Sequence, residues 1–503
     1  MAKFIDQQQR NLRKIITGNI KSSLFTHLGL TDLTRYKDFN LLYQSFARAT
    51  PVQDYEGWSK LLRGMVKETK APMQDILSRP HLVTSQDVAG LVSEQQRVFP
   101  VGAGTLSDYQ HIEKKLLELS GIPKKNWLRM FDYSPLEGAE CTSLQALAAT
   151  QKKGWQDYFP FFQPKKEEEA LAAKSRHQLL HSFYQKICDV GDQIELLIAP
   201  AELLTHFGLH ASRQRGKFTS IKELCPNLKV YVQDGIEGQL NKLELKYLFN
   251  GLPHLHWLQA VNMPCGLMAT QADAHIQQRL LFDDQSSCFY EFIPIEDVDV
   301  SGRFYRNFKR MHAGQVSVGK EYLLLLTNAY GLVAYNTGWI IKVLSLDPFH
   351  IAWQRTQEVL NAFGEGISVS LIDHILSEVN EILGGQGLFV RNYTVCPLHQ
   401  ERRHHWVIEV SRPLENLDQK LLSGIGKRLH AELELQVTGY RQLLQQGALQ
   451  APKITFVGMG TFAALPDTTV IHKVDMTSGH ELVRNLCDLA GNSQVDIDIG
   501  TVF

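Results

Sequence analysis

The apolar positions of this chain change period along its length, and that change sorts it into elements. Over residues 4–25, Ile5, Leu12, Ile16, Ile20 and Leu24 fall along one face at helical spacing, predicting an amphipathic helix that packs its stripe on the protein body. The charged run at 165–174 (KKEEEALAAK) opens a predicted helix continuing through Leu179 and Tyr184, its charges at i,i+4 spacing on a solvated face. Short apolar or β-branched runs follow: 193–199 (QIELLIA), 228–233 (LKVYVQ), 288–295 (CFYEFIPI) and Glu321–Thr327 read as strands. Helical stretches at Ile221–Leu224 and 241–249 lie between some of them, and the alternation predicts mixed α/β layers.

A break is predicted at Gly364-Glu365-Gly366, where two glycines flank a charge ahead of a fresh helix at 369–383. Beyond it the pattern reads strand (388–396), strand (405–410), helix (417–433) and strand (Lys453–Val457), the order of a small α/β sandwich. A chain of 503 residues exceeds what one ordinary core serves. The expectation is a large N-terminal α/β domain over 1–364, a small mobile α/β domain over 365–503, and a hinge near 356–366.

Composition narrows the function classes. The chain is 44% hydrophobic and 21% charged with a formal net charge of −1, an ordinary globular profile without the basic excess that nucleic acid or an anionic membrane surface calls for. Low net charge gives little protection against association, so a partner protein fits and nucleic acid does not. Seven cysteines stand far apart with no C-x-x-C pair, which implies free thiols in a reducing compartment. The polar N-terminus shows no signal-peptide core, and the longest apolar run, 322–333, is shorter than the roughly 18–20 residues of a membrane helix. A cytoplasmic chain without membrane insertion is expected.

The strongest motif is 328–343 (NAYGLVAYNTGWIIKV). It resembles a core segment of the Gretchen Hagen family of acyl-acid amido synthetases, ATP-dependent enzymes of the adenylate-forming group that join carboxylic acids to amino acids. The family's run ends in an aspartate that holds the ATP ribose. Here that position is Trp339, an indole that donates one hydrogen bond and accepts none. The resemblance extends to a phosphate loop of small residues at 84–90, where Thr84 and Ser85 remain but Gln86 and Asp87 replace a glycine and a hydroxyl. A carboxylate there opposes phosphate by about 1–4 kcal/mol. Arg97, in R-V-F-P, matches a family cation. Thr270-Gln271-Ala272 matches the triplet whose glutamate helps hold Mg²⁺, so an amide stands for the carboxylate; Glu291 anchors this alignment. Arg355 matches the arginine beside the ribose, Gly364-Glu365-Gly366 resembles the family's G-E-K without its lysine, and Lys473 is a weak match to a lysine used late in the reaction.

Three other motifs weigh less. Gly458-Met-Gly460-Thr-Phe-Ala463 fits a dinucleotide fingerprint, but too little chain follows for the βα units such a domain needs. His177 with His181, and His399, His404 and His405 near Glu401, lack full zinc spacing, and no G-x-S-x-G elbow occurs. The favoured expectation is an amido-synthetase-like chain that has lost adenylation and serves as a binding or scaffolding subunit, without cofactor and partnered by another protein or a small carboxylic acid. The alternative is an active synthetase using ATP and Mg²⁺.

Overall fold

The computed structural model describes residues 3–70, 76–77, 88–94, 97–130, 176–235, 239–263, 265–273, 279–282, 285–299, 302–465, 473–474 and 480–499. The chain forms two compact units. The first takes in Met1–Ile236, Gly251–Val298 and Phe304–Arg355; the second Glu237–Asn250, Asp299–Arg303 and Thr356–Phe503.

In the first unit, β1 (Val88–Glu94) and β2 (Arg97–Gly102) form an antiparallel pair. The main sheet is built from β3 (Trp127–Arg129), β4 (Leu196–Ala199), β5 (Val230–Asp234), β6 (His256–Asn262), β7 (Met268–Gln271), β8 (Leu280–Phe282), β9 (Phe289–Pro294), β10 (Met311–His312), β11 (Glu321–Thr327), β12 (Tyr335–Leu346) and β13 (Phe349–Thr356). Among the described residues it has eleven strands in the order β10-β9-β11-β12-β13-β8-β7-β6-β5-β4-β3. β3 to β6 run parallel, and β7 turns antiparallel on β6. The parallel strands are apolar on both faces, as in Leu196–Ala199, where every residue is buried.

The predicted N-terminal helix is two. Lys3–Gly18 ends at its glycine, and Ser22 caps a new helix, Ser23–His27, its Oγ accepting from Phe25 N at 3.2 Å. Leu12, Ile16 and Leu24 are buried, but Ile20 falls in the break and is 38% exposed. Helix Tyr55–Thr69 contributes Trp58, Leu62 and Met65 to the principal core, which also holds Phe4, Tyr290, Phe292, Leu324, Leu326 and Trp339. Trp58 Nε1 donates to the Gly331 carbonyl at 2.8 Å; Gly331 sits at φ 104°, where a Cβ would meet Leu77 Cδ2 at 2.2 Å. Buried Glu291 accepts from Arg310 Nε (3.0 Å) and Nη2 (2.8 Å) and from Tyr43 OH (3.1 Å), so its charge is structurally neutralised.

In the second unit, β14 (Val359–Leu360) pairs with β15 (Ile367–Ser368), and a second sheet runs β16 (Val390–Leu398), β17 (Arg403–Val410), β18 (Lys453–Val457), β19 (Gln494–Asp498). Helices Val369–Gly384 and Gln419–Gln436 occupy the predicted positions, and Thr438–Gln445 and His480–Ala490 add to the predicted order. After β18, Phe462–Ala464 is a single 3₁₀ turn, so the G-x-G-x-x-A run opens no α-helix there. Among the described residues no helix is long and apolar enough to cross a membrane.

Candidate functional site

The run at 331–339 builds a bulge. Leu325 stands opposite Asn336 and Leu323 opposite Ile340, so residues 337–339 face Leu324 alone. Thr337 Oγ1 donates to the Leu324 carbonyl at 2.8 Å, and Gly338, at φ 73°, donates its N–H to Asn336 Oδ1 at 2.9 Å. Past the bulge the side chains alternate: Trp339, Ile341 and Val343 join the principal core, while Ile340 joins a separate cluster with Ile293, Leu323 and Leu325. Trp339 is 6% exposed, an apolar core residue.

The other sequence-predicted positions are dispersed. Thr84, Ser85, Gln86 and Asp87 lie outside the described residues, and Arg97 opens β2 opposite Glu94. Thr270 and Gln271 are buried in β7, Thr270 pairing with Ala260, and Gln271 Nε2 donates to the Asp273 carbonyl at 2.7 Å. Arg355, on the strand beside β12, donates from Nη1 to Glu321 Oε2 at 3.0 Å, both side chains about one-third exposed. The structure thus brings Trp339 and Arg355 to neighbouring strands, while β13 and β8 separate Gln271 from Trp339.

In the second unit, Lys473 Nζ lies 2.7 Å from both oxygens of Asp373 and 5.3 Å from the Tyr393 ring centroid, and Tyr393 OH donates to Asp373 Oδ1 at 2.9 Å. Glu365 is buried, accepting from Ala362 N (3.0 Å) and Phe363 N (2.7 Å) and meeting His404 Nε2 at 2.8 Å. Burial alone would raise its carboxyl; the hydrogen bond and charge of His404, with the backbone N–H groups, hold it below its ordinary value. His405 Nε2 meets Thr455 Oγ1 at 2.8 Å, so these two histidines serve separate polar contacts.

Sequence reading passed over the carboxyl-terminal edge of the parallel strands, where α/β sheets place ligands. Here β3 ends in Arg129, ion-paired with Glu113, and β5 ends in Gln233 and Asp234. β6 ends in Asn262, whose Nδ2 donates to Asp234 Oδ1 at 3.1 Å. Gln233 Nε2 and Asn262 Oδ1 are buried without a hydrogen-bond partner among the described residues, one donor and one acceptor at a single strand edge. The signal was present as polar residues closing apolar strand runs, Q-D after V-Y-V and N after A-V.

Residues 282–350 match the GH3 family central domain, and residues 372–478 match the GH3 family C-terminal domain. The chain thus carries matches to the GH3 central and C-terminal domains. No curated protein matches it in sequence. Among solved structures it is similar to GH3.15 acyl acid amido synthetase, with TM-score 0.69 and 13% identity over 98% of this chain and 94% of that one. An AtGH3.15 acyl acid amido synthetase in complex with 2,4-DB gives TM-score 0.66 and 14% identity over 98% and 95%. A 2-hydroxyisobutyryl-CoA ligase in the postadenylation state, with R3-HIB-AMP, gives 0.59 and 11% over 96% and 91%. At these identities the likeness is one of fold, the adenylate-forming α/β type. Trp339 lies within the GH3 central-domain match, and Lys473 and Asp373 within the GH3 C-terminal-domain match.

Proposed function

We propose that this GH3-like chain no longer adenylates and serves as a binding subunit for another protein or for a small carboxylic acid. The observation that carries this reading is the buried indole of Trp339 at the position where the family resemblance puts a ribose-holding carboxylate. An indole offers no acceptor to ribose hydroxyls, and its place in the principal core leaves its ring packed rather than presented. Gln271 adds to it: its amide is tied to the Asp273 carbonyl, and a neutral amide is a poorer Mg²⁺ ligand than a carboxylate. Arg355, the residue matching the family's ribose arginine, is paired with Glu321. Toward ATP and Mg²⁺ these described residues fit poorly.

A second reading, an active ATP-dependent acid–amino-acid ligase with rearranged ligands, draws on the strand edge. Asp234, which accepts from Asn262 Nδ2, supplies a carboxylate there, beside Gln233 Nε2 and Asn262 Oδ1, both unpartnered among the described residues. In such a ligase ATP would supply the activating adenylyl group, and the chain's own residues would orient the acid.

Isothermal calorimetry with millimolar Mg-ATP separates the two. The proposal expects no heat of binding from nucleotide. Saturable heat that disappears in an Asp234→Asn variant would replace it with the second reading.

A further inference from the structure

Away from these sites, the run at 304–310 (FYRNFKR) breaks the near-neutral character of the chain with three aromatics and three cations. Phe304 and Phe308 stack with ring centroids 4.8 Å apart and pack against the buried cluster of Ile293, Leu323, Leu325 and Ile340. The turn between them is fixed by its backbone: Tyr305 N donates to the Asp297 carbonyl at 3.0 Å, and Phe308 N to the Tyr305 carbonyl at 3.1 Å. Lys309 N donates to Asp297 Oδ2 at 2.8 Å. Anchored on two half-buried rings, the turn holds Tyr305 53% exposed, with Arg306, Asn307 and Lys309 also exposed.

Two of the three charges on this turn are uncommitted. Arg310 is bound to Glu291, but among the described residues neither the Arg306 guanidinium nor the Lys309 ammonium meets a carboxylate, and the Tyr305 hydroxyl makes no hydrogen bond. A rigid turn presenting Tyr and Arg offers contact area at low ordering cost, the composition on which interface energy concentrates. Two free cations select an anionic partner. The exposed Glu296 nearby and the overall charge of −1 leave too weak a field to hold a nucleic-acid backbone, whose binding rests on many phosphate contacts. A segment with a few carboxylates and an apolar side chain for the Tyr305 ring fits the chemistry better.

We propose that Tyr305, Arg306 and Lys309 form a docking surface for an acidic, leucine- or aromatic-bearing segment of a partner protein. This goes beyond the loss of adenylation and holds or fails independently of it.

The test titrates the full chain into a fluorescein-labelled peptide of about twelve residues alternating Glu with Leu, and into a labelled oligodeoxythymidylate of the same length. Expected is saturable peptide binding, weakened about tenfold by Arg306→Glu with Lys309→Glu, and several-fold by Tyr305→Ala. Raising salt from about 50 to about 300 mM should weaken it too. All three positions are exposed, so an unchanged thermal midpoint certifies that the variants fold. Absence of peptide binding, binding that the variants leave unaltered, or tighter binding of the oligonucleotide would overturn the assignment.

Discussion

Replacing Trp339 with Asp restores the carboxylate of the family resemblance, and the structure dictates what this should cost. The indole is 6% exposed within the principal core, and removing a buried Trp side chain costs about 3–5 kcal/mol in transfer and cavity terms. The incoming carboxyl has an apolar environment. Its pKa should rise by about 2–3 units, and at about 1.4 kcal/mol per unit the ionised form adds roughly 3–4 kcal/mol at neutral pH. The sum, about 6–9 kcal/mol, rivals the whole stability of a typical domain. A folded-state pKa raised above the unfolded value makes this penalty grow as pH rises. The Asp variant should therefore be less impaired near pH 5 than near pH 7.5, whereas Trp339→Phe, which keeps an apolar ring, should lose only about 1–2 kcal/mol at both. Urea unfolding followed by circular dichroism at the two pH values reads all three proteins. An Asp variant that loses less than about 1 kcal/mol, equally at both pH values, would place position 339 in a polar, open environment and refute the reasoning.

Two further outcomes follow from buried charge. Arg310→Met leaves Glu291, wholly buried, without its cation and strips donors from the Ala47 and Thr50 carbonyls, so thermal unfolding should register a loss of about 3–5 kcal/mol. Glu365 has a lowered folded-state pKa, so its contribution is present above the unfolded value of about 4.3 and is lost as pH falls through the folded value. Glu365→Gln should flatten the acid limb of a stability-versus-pH curve below about pH 4.5, and an unaltered limb would count against the His404 contact.

Much of the fold was legible because strand and helix periods are local. Glu321–Thr327, Ile221–Leu224 and Lys453–Val457 carry in the structure the bounds their apolar runs imply. The N-terminal helix was read too long because its apolar stripe continues at the right spacing past Gly18, while the backbone turns and Ser22 starts a new cap. The strand expected at 193–199 begins only at Leu196, since Gly191–Gln193 closes a 3₁₀ turn where a Cβ on Gly191 would strike the Leu224 carbonyl. The motif at 331–339 could be read as a segment, but not the bulge that turns Trp339 into the core. Contacts far apart in sequence were not legible at all: Lys473 finds Asp373 across 100 positions, and Asn262 finds Asp234 only because β5 and β6 lie parallel and adjacent. The strand-edge amides escaped notice for that reason, as their meaning depends on strand order.

The most direct measurement is ATP–pyrophosphate exchange, run with the full chain, Mg²⁺ and a panel of small carboxylic acids that includes 2,4-DB. The proposed loss of adenylation predicts label incorporation no higher than in reactions without protein, for every acid. Exchange above that level with any acid, abolished by Asp234→Asn, would contradict it.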